Sequence, residues 1–166
     1  MATITETFGS ATAFTITNAN LTNSATAGWQ SNAIDNSSNL YDDALVMVDL
    51  AAVNTAPGSS SAIFMYAFAL VDASGSVYTN TGDGSPGGTE GTLTYPNVAT
   101  LPVVAPLLGV IPYPVTNKAL RGGPFSVAAC FGGILPPKWA IGMVNFSGMT
   151  LSVTSIKYIE VKYTVA

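Results

Sequence analysis

The chain contains no histidine and only one cysteine, Cys130, in 166 residues. Histidine is the usual general base, the usual activator of a nucleophilic serine or cysteine, and the commonest metal ligand. A single cysteine cannot form an intrachain disulfide. Cys130 lies in an apolar run at residues 127–131, which predicts a small buried side chain and not a nucleophile. We therefore expect a protein that is not an enzyme, with no catalytic residue, no cofactor and no metal site.

Charge is also scarce. Charged residues make up 8% of the chain, hydrophobic residues make up 48%, and the mean hydropathy is +0.41. An average soluble domain is about 25% charged. The five basic residues are scattered and form no stripe that could neutralise phosphates or anionic lipids: Lys118, Arg121, Lys138, Lys157 and Lys162. We expect neither a nucleic acid nor a membrane as a partner.

The apolar runs do not fit a membrane-spanning helix. Residues 62–71 fall well short of the roughly 18 residues that such a helix needs. Residues 98–115 are interrupted by proline and glycine at Pro102, Pro106, Gly109, Pro112 and Pro114. No charged segment with a following apolar region and cleavage site precedes the first β-like residues. The sequence thus predicts a soluble protein made in the cytoplasm.

Strand signals dominate the chain, and glycine or proline interrupts most windows of helical length. Residues 44–50 and 62–71 are apolar on both faces, and a turn-forming connection at 54–60 predicts that they form a hairpin. Strands of this kind need cover on both sides. Near the end of the chain the apolar phase slips between Tyr158 and Ile159, which predicts a β-bulge. A further strand is expected over residues 125–131.

The strand spacing is that of a sandwich or barrel, and no fixed repeat indicates a propeller. An immunoglobulin sandwich needs a Cys, Trp and Cys framework that one cysteine cannot supply. Long strand pairs with irregular Gly- and Pro-rich crossovers favour an all-β jelly-roll β-sandwich of about eight to ten antiparallel strands, with little or no helix. We expect an N-terminal arm or edge strand at 1–23 and a single jelly-roll domain at 24–166.

Acidic residues give two weak candidate sites. Asp42 and Asp43 are adjacent, but neighbours in a strand point to opposite faces, so we interpret them as charged residues at a strand start. Asp72 precedes a Gly-rich stretch at 80–91, and Asp83 and Glu90 lie within it. The stretch lacks the ligand spacing of an EF-hand. We interpret that stretch as a flexible loop, with ligand or ion binding left open.

Asparagine and aromatic residues give two more candidates. Sequons at Asn20, Asn36 and Asn145 are interpreted as chance matches, because no secretory signal precedes them. Trp29 and Trp139, with the tyrosines, offer a possible sugar-stacking platform. Aromatic residues of a β-sandwich more often belong to its core or to an interface.

Several segments occur in a familiar order: 28–31 (Gly-Trp-Gln-Ser), 33–36, 42–46, 66–68, 72–75, 135–141 and 145–151. This order resembles small structural proteins of tailed bacteriophages, in particular the jelly-roll capsid decoration (cement) proteins. The resemblance covers most of residues 28–165. It implies a non-enzymatic virion protein on the capsid exterior, which clamps neighbouring subunits of the major capsid protein and associates with itself as a homotrimer or dimer.

Apolar residues near the N-terminus and in residues 98–115 are the candidates for contact with another subunit or with the capsid. Because proline cannot donate to a strand ladder, we expect the second of these segments to lie over a sheet or at a subunit contact. The candidates are Phe14, Ile16, Val103, Pro106, Leu107, Leu108, Ile111, Pro112 and Tyr113. The alternative function is a carbohydrate- or receptor-binding β-sandwich module of a phage tail fibre or baseplate.

Overall fold

The computed structural model describes residues 3–17, 20–51, 56, 61–70, 89–95, 101, 105–113 and 118–165. These residues are nearly all β and form two antiparallel sheets in a sandwich-like arrangement. The strands among them are β1 Ile4–Phe8, β2 Thr12–Ala13, β3 Asn20–Leu21, β4 Ala27–Gln30, β5 Ile34–Asp35, β6 Asp43–Leu50, β7 Ala62–Leu70, β8 Gly91–Thr94, β9 Leu107–Pro112, β10 Leu120–Ser126, β11 Lys138–Asn145 and β12 Leu151–Val165. A short 3-10 helix, Ala128–Phe131, follows β10.

Seven of the strand pairs among the described residues are nested within one another along the chain, while β8 pairs with β4 outside this series. β1, β2 and β3 pair with β12, β4 and β5 pair with β11, β6 pairs with β10, and β7 pairs with β9. The first sheet has the order β1-β12-β6-β10, and the second has the order β8-β4-β11-β7-β9. β1, β2 and β3 therefore form an edge of the first sheet. β12 and β11 lie in the middle of their sheets.

The predicted hairpin between residues 44–50 and 62–71 is wrong. Both segments are strands, but β6 lies in the first sheet between β12 and β10, and β7 lies in the second sheet between β11 and β9. The connection between them crosses from one sheet to the other. Each strand instead pairs with residues far away in the sequence.

Both faces of β7 are buried, as its apolar run predicted. Ile63, Met65 and Ala67 point into the main core between the sheets. Tyr66 and Phe68 belong to a second apolar cluster on the outer face of the second sheet. Leu101 and Ala105 also belong to that cluster, so part of the proline-rich stretch does lie over a sheet. The same stretch continues into β9, an edge strand, which is where proline is tolerated.

The bulge predicted between Tyr158 and Ile159 is absent from the pairing of β12 with β6, whose register runs unbroken from Ser155 to Val161. On the other side of β12 the register shifts by one residue between Tyr158, which pairs with Thr12, and Val161, which pairs with Phe8, and the extra residue lies in the N-terminal segment. The irregularity in the pairing with β6 lies between Val153 and Ser155, where the Thr154 hydroxyl donates to the Asp49 carbonyl at 3.0 Å. The slip in the apolar phase has another cause. Beyond Tyr158, the apolar side chains of β12 continue on the outer face of the sheet.

The strand expected over residues 125–131 ends at Ser126 and gives way to the 3-10 helix. The Asp43 carboxylate stabilises this change of direction. It accepts the Ala128 N–H at 2.9 Å on Oδ1 and the Ser126 hydroxyl at 2.7 Å on Oδ2. A contact to a residue so far away in the sequence leaves no trace in the local apolar pattern.

No helix in the described part of the chain is long and apolar enough to cross a membrane.

Candidate functional site

The predicted contact residues fall into three groups. Four are buried in the core of the chain itself: Phe14, Leu108, Ile111 and Tyr113. Ile16 and Pro106 are half-buried, and Val103 lies outside the described residues. Leu107 and Pro112 are exposed. Only Leu107 and Pro112 therefore present a largely free surface to a partner.

The buried candidates have contacts inside the chain. The Phe14 ring lies 6.0 Å from the Trp139 ring and 5.0 Å from the Tyr158 ring, centroid to centroid. The Tyr113 hydroxyl donates to the carbonyls of Lys118 at 3.0 Å and Ala51 at 3.2 Å. These side chains hold the sandwich together.

An apolar groove of about 420 Å³ lies where β9 and β10 meet at one side of the sandwich. Val110, Pro112 and Phe125 are among its lining residues. The two strands approach closely at glycines: a Cβ on Gly109 would lie 2.4 Å from the Phe125 ring, and one on Gly122 would lie 2.4 Å from the Ile111 side chain. The exposed Leu107 begins the same edge strand. We call this surface, made by Leu107, Val110, Pro112 and the groove, the β9 edge.

A larger apolar surface lies on the outer face of the first sheet, and sequence reasoning did not find it. Four exposed side chains lie on one face of the β1–β12 ladder: Ile4 (69% exposed), Phe8 (59%), Tyr163 (50%) and Val165 (71%). The half-buried Leu45, Met47 and Ile159 continue the face across β6 and β12. Val161, buried, lies opposite Phe8. We call these eight residues the outer patch. The outward apolar phase beyond Tyr158 was the signal for it.

The two tryptophans are buried, so they cannot form an exposed sugar-stacking platform. Trp139 is fully buried, and Trp29 is 4% exposed. The indole N–H of Trp29 donates to Glu90 Oε1 at 2.8 Å. Glu90 also accepts the Thr17 N–H at 3.0 Å and the Thr17 hydroxyl, so it joins β4, the N-terminal segment and the start of β8. Asp72 and Asp83 lie outside the described residues.

The adjacent aspartates accept hydrogen bonds from different segments and serve structural roles. Asp42 Oδ2 accepts the Tyr163 N–H at 2.6 Å, while Asp43 holds the end of β10 as described above. No group of three or more metal-ligating side chains occurs among the residues that the structure describes.

Cys130 lies in the 3-10 helix and not in a strand, and it is half-buried. Burial, with a smaller contribution from the nearby Asp43 carboxylate, raises the pKa of its thiol to about 11. The reactive thiolate is therefore scarce at neutral pH.

Asn145 is fully buried, and its side chain joins two segments. Its Nδ2 donates to the carbonyls of Leu21 and Met149, both at 2.7 Å, and its Oδ1 accepts the Ser147 N–H at 2.8 Å. Asn36 is also buried and exchanges two hydrogen bonds with the backbone of Tyr41. Two of the three sequon asparagines thus have structural roles inside the fold.

No known family model matches the chain, and a search of curated proteins gives no match to its sequence.

Proposed function

We propose that the chain is a structural virion protein, a capsid decoration protein that binds and stabilises the assembled shell of a tailed bacteriophage from the outside. In this role it performs no catalysis, is made in the host cytoplasm, and associates with itself as well as with the major capsid protein. The proposal joins the sequence resemblance to the surface that the fold leaves exposed.

We also propose that the sandwich is a jelly roll. The nested pairs support this, because β1–β3 with β12, β4 and β5 with β11, β6 with β10 and β7 with β9 describe one long hairpin wound into two sheets. Jelly rolls are double-sheet folds built in this way from Greek keys, and they are common in viral capsid proteins.

The observation that carries the functional proposal is the exposed apolar surface of a chain with 8% charged residues. Among the residues that the structure describes, eight large apolar side chains are exposed: Ile4, Phe8, Leu40, Leu107, Val110, Ile134, Tyr163 and Val165. Six of them fall on the outer patch and the β9 edge. Contiguous apolar surface with a polar rim is typical of protein interaction sites.

We assign the capsid contact to the β9 edge. Its groove of about 420 Å³ is large enough for an apolar side chain from a capsid subunit, and Leu107, which is 49% exposed, begins the same edge strand. Apolar anchors in such pockets supply most of the binding energy of an interface.

The test is co-sedimentation with empty shells assembled from the major capsid protein of the same genome. The wild-type chain pellets with the shells, and Leu107→Asp combined with Val110→Asp weakens binding at least ~10-fold, because each carboxylate would have to be desolvated at the contact. Leu40→Asp is the control, since Leu40 is 67% exposed but lies outside the β9 edge. A wild-type chain that stays in the supernatant contradicts the function. Equal loss in the control contradicts the assigned surface.

A further inference from the structure

The two outer sheet faces differ in how they are covered. On the second sheet, the cluster of Tyr66, Phe68, Leu101 and Ala105 covers the outer face with the chain's own side chains. On the first sheet, four members of the outer patch are exposed and three are half-buried, and none of its eight members belongs to either apolar cluster of the described residues. A contiguous apolar sheet face of this kind needs a partner.

The charges around the outer patch are arranged at two ends. Glu6 lies in β1 between Ile4 and Phe8 and opposite Tyr163, whose hydroxyl donates to Glu6 Oε1 at 3.2 Å. Lys157 lies at the far end, on the same outward face of β12 as Tyr163. The ion pair found within the described residues is Arg121 with Asp49. This pair lies beside Lys157, which attracts the Asp49 carboxylate and helps to lower its pKa without forming an ion pair with it.

We propose that the outer patch binds the outer patch of a second copy of this chain, related by a two-fold axis that passes near Glu160. This narrows the self-association proposed above to a dimer through one face, and it does not depend on capsid binding.

The charge arrangement fits this two-fold relation. Lys157 and Tyr163 are six residues apart on β12, which corresponds to about 20 Å of strand. A two-fold axis midway between these two residues places Lys157 of one copy over Tyr163 of the other copy, and therefore beside Glu6 of that other copy. Because the axis is two-fold, the Lys157–Glu6 pair forms twice. Self-complementary charge of this kind is what a two-fold interface requires.

The area of the outer patch is sufficient for a dimer. The exposed parts of Phe8 and Tyr163 are on the order of 100 Å² each, since such side chains bury ~150–250 Å² in full. Ile4, Val165 and the half-buried members bring the apolar area to roughly 500 Å² per copy. Two copies then bury about 1,000 Å², the lower limit of a specific interface, so we expect a dissociation constant of roughly 1–100 μM.

Charge reversal tests the interface by sedimentation velocity over a concentration series. Glu6→Lys and Lys157→Glu each weaken the dimer about 10-fold, because each replaces two attractive pairs by two repulsive ones. The double variant restores the wild-type dissociation constant to within about 3-fold. Lys162→Glu is the matched control, because it makes the same charge change on the same strand but on the opposite face. It leaves the constant unchanged.

Circular dichroism checks that each variant is folded. If Glu6→Lys is not, Glu6→Gln replaces it, with an expected weakening of about 3-fold. A wild-type chain that remains a monomer at ~1 mM contradicts the dimer, and a double variant that is not restored contradicts the two-fold register. If the wild-type chain is a monomer and its outer-patch variants lose shell binding, the outer patch is the capsid contact. That outcome also overturns the dimer. If β9-edge variants lose shell binding but still dimerise, the capsid contact and the dimer contact are separate surfaces. The proposed function and this inference can therefore fail independently.

Discussion

Asn145 provides the sharpest test of how the fold is held together. Replacement by alanine removes the amide that joins Leu21 in β3 to the turn between β11 and β12. It leaves the buried Leu21 carbonyl and the Ser147 N–H without these hydrogen bonds, while the Met149 carbonyl keeps a longer one of 3.3 Å from the Ser147 hydroxyl. An unsatisfied buried group costs about 1–3 kcal/mol. We expect Asn145→Ala to lower the free energy of unfolding by about 2–4 kcal/mol.

Asn145→Asp sharpens this prediction, because the side chain keeps its shape but no longer donates. At pH 7 a carboxylate would then face two backbone carbonyls, and the loss exceeds that of the alanine variant. Equilibrium urea unfolding gives these values, with the buried Trp29 and Trp139 as fluorescence probes. Asn32→Ala, which removes one exposed hydrogen bond from the Glu90 N–H, is the control and costs no more than about 1 kcal/mol. The reasoning fails if Asn145→Ala costs no more than the control.

Two further predictions concern packing and reactivity. Gly28→Ala lowers the free energy of unfolding by about 1–3 kcal/mol, because the new Cβ would lie 2.2 Å from the Met143 carbonyl oxygen. Gly9→Ala is the control and changes the free energy of unfolding by far less, because the nearest atom to its Cβ lies at 3.5 Å. Equal urea midpoints for the two variants would contradict the assigned clash. Cys130, with a pKa of about 11, reacts with iodoacetamide at pH 8 at least ~10-fold more slowly in the folded chain than in urea. Equal rates, followed by mass spectrometry, would show that the thiol is not protected.

Local patterns located the strands better than they located the pairs. The apolar runs at 44–50 and 62–71 became β6 and β7 almost residue for residue. Their assignment to one hairpin was wrong because sheet membership depends on partners such as β10 and β11, which lie far along the chain. The all-β class follows from local chemistry, while topology depends on contacts that no short window contains.

The candidate contacts show the same limit. Apolar character alone could not separate Leu107, which faces outward, from Leu108, which faces the core, because the choice depends on which side of β9 faces the first sheet. At the end of the chain the information was present and was misinterpreted. Val161, Tyr163 and Val165 alternate with Lys162 and Thr164, and this pattern marks an apolar outer face beyond the end of the core.

The central positions of β11 and β12 have a consequence for synthesis of the chain on the ribosome. These two strands, Lys138–Asn145 and Leu151–Val165, emerge after the other described strands, yet β12 lies between β1 and β6, and β11 lies between β4 and β7. Until β11 and β12 emerge, β6 lacks its neighbour β12 and β7 lacks its neighbour β11, so neither sheet can be completed. A nascent chain stalled before Lys138 would expose apolar strand edges, and we expect such truncated chains to aggregate or to be degraded.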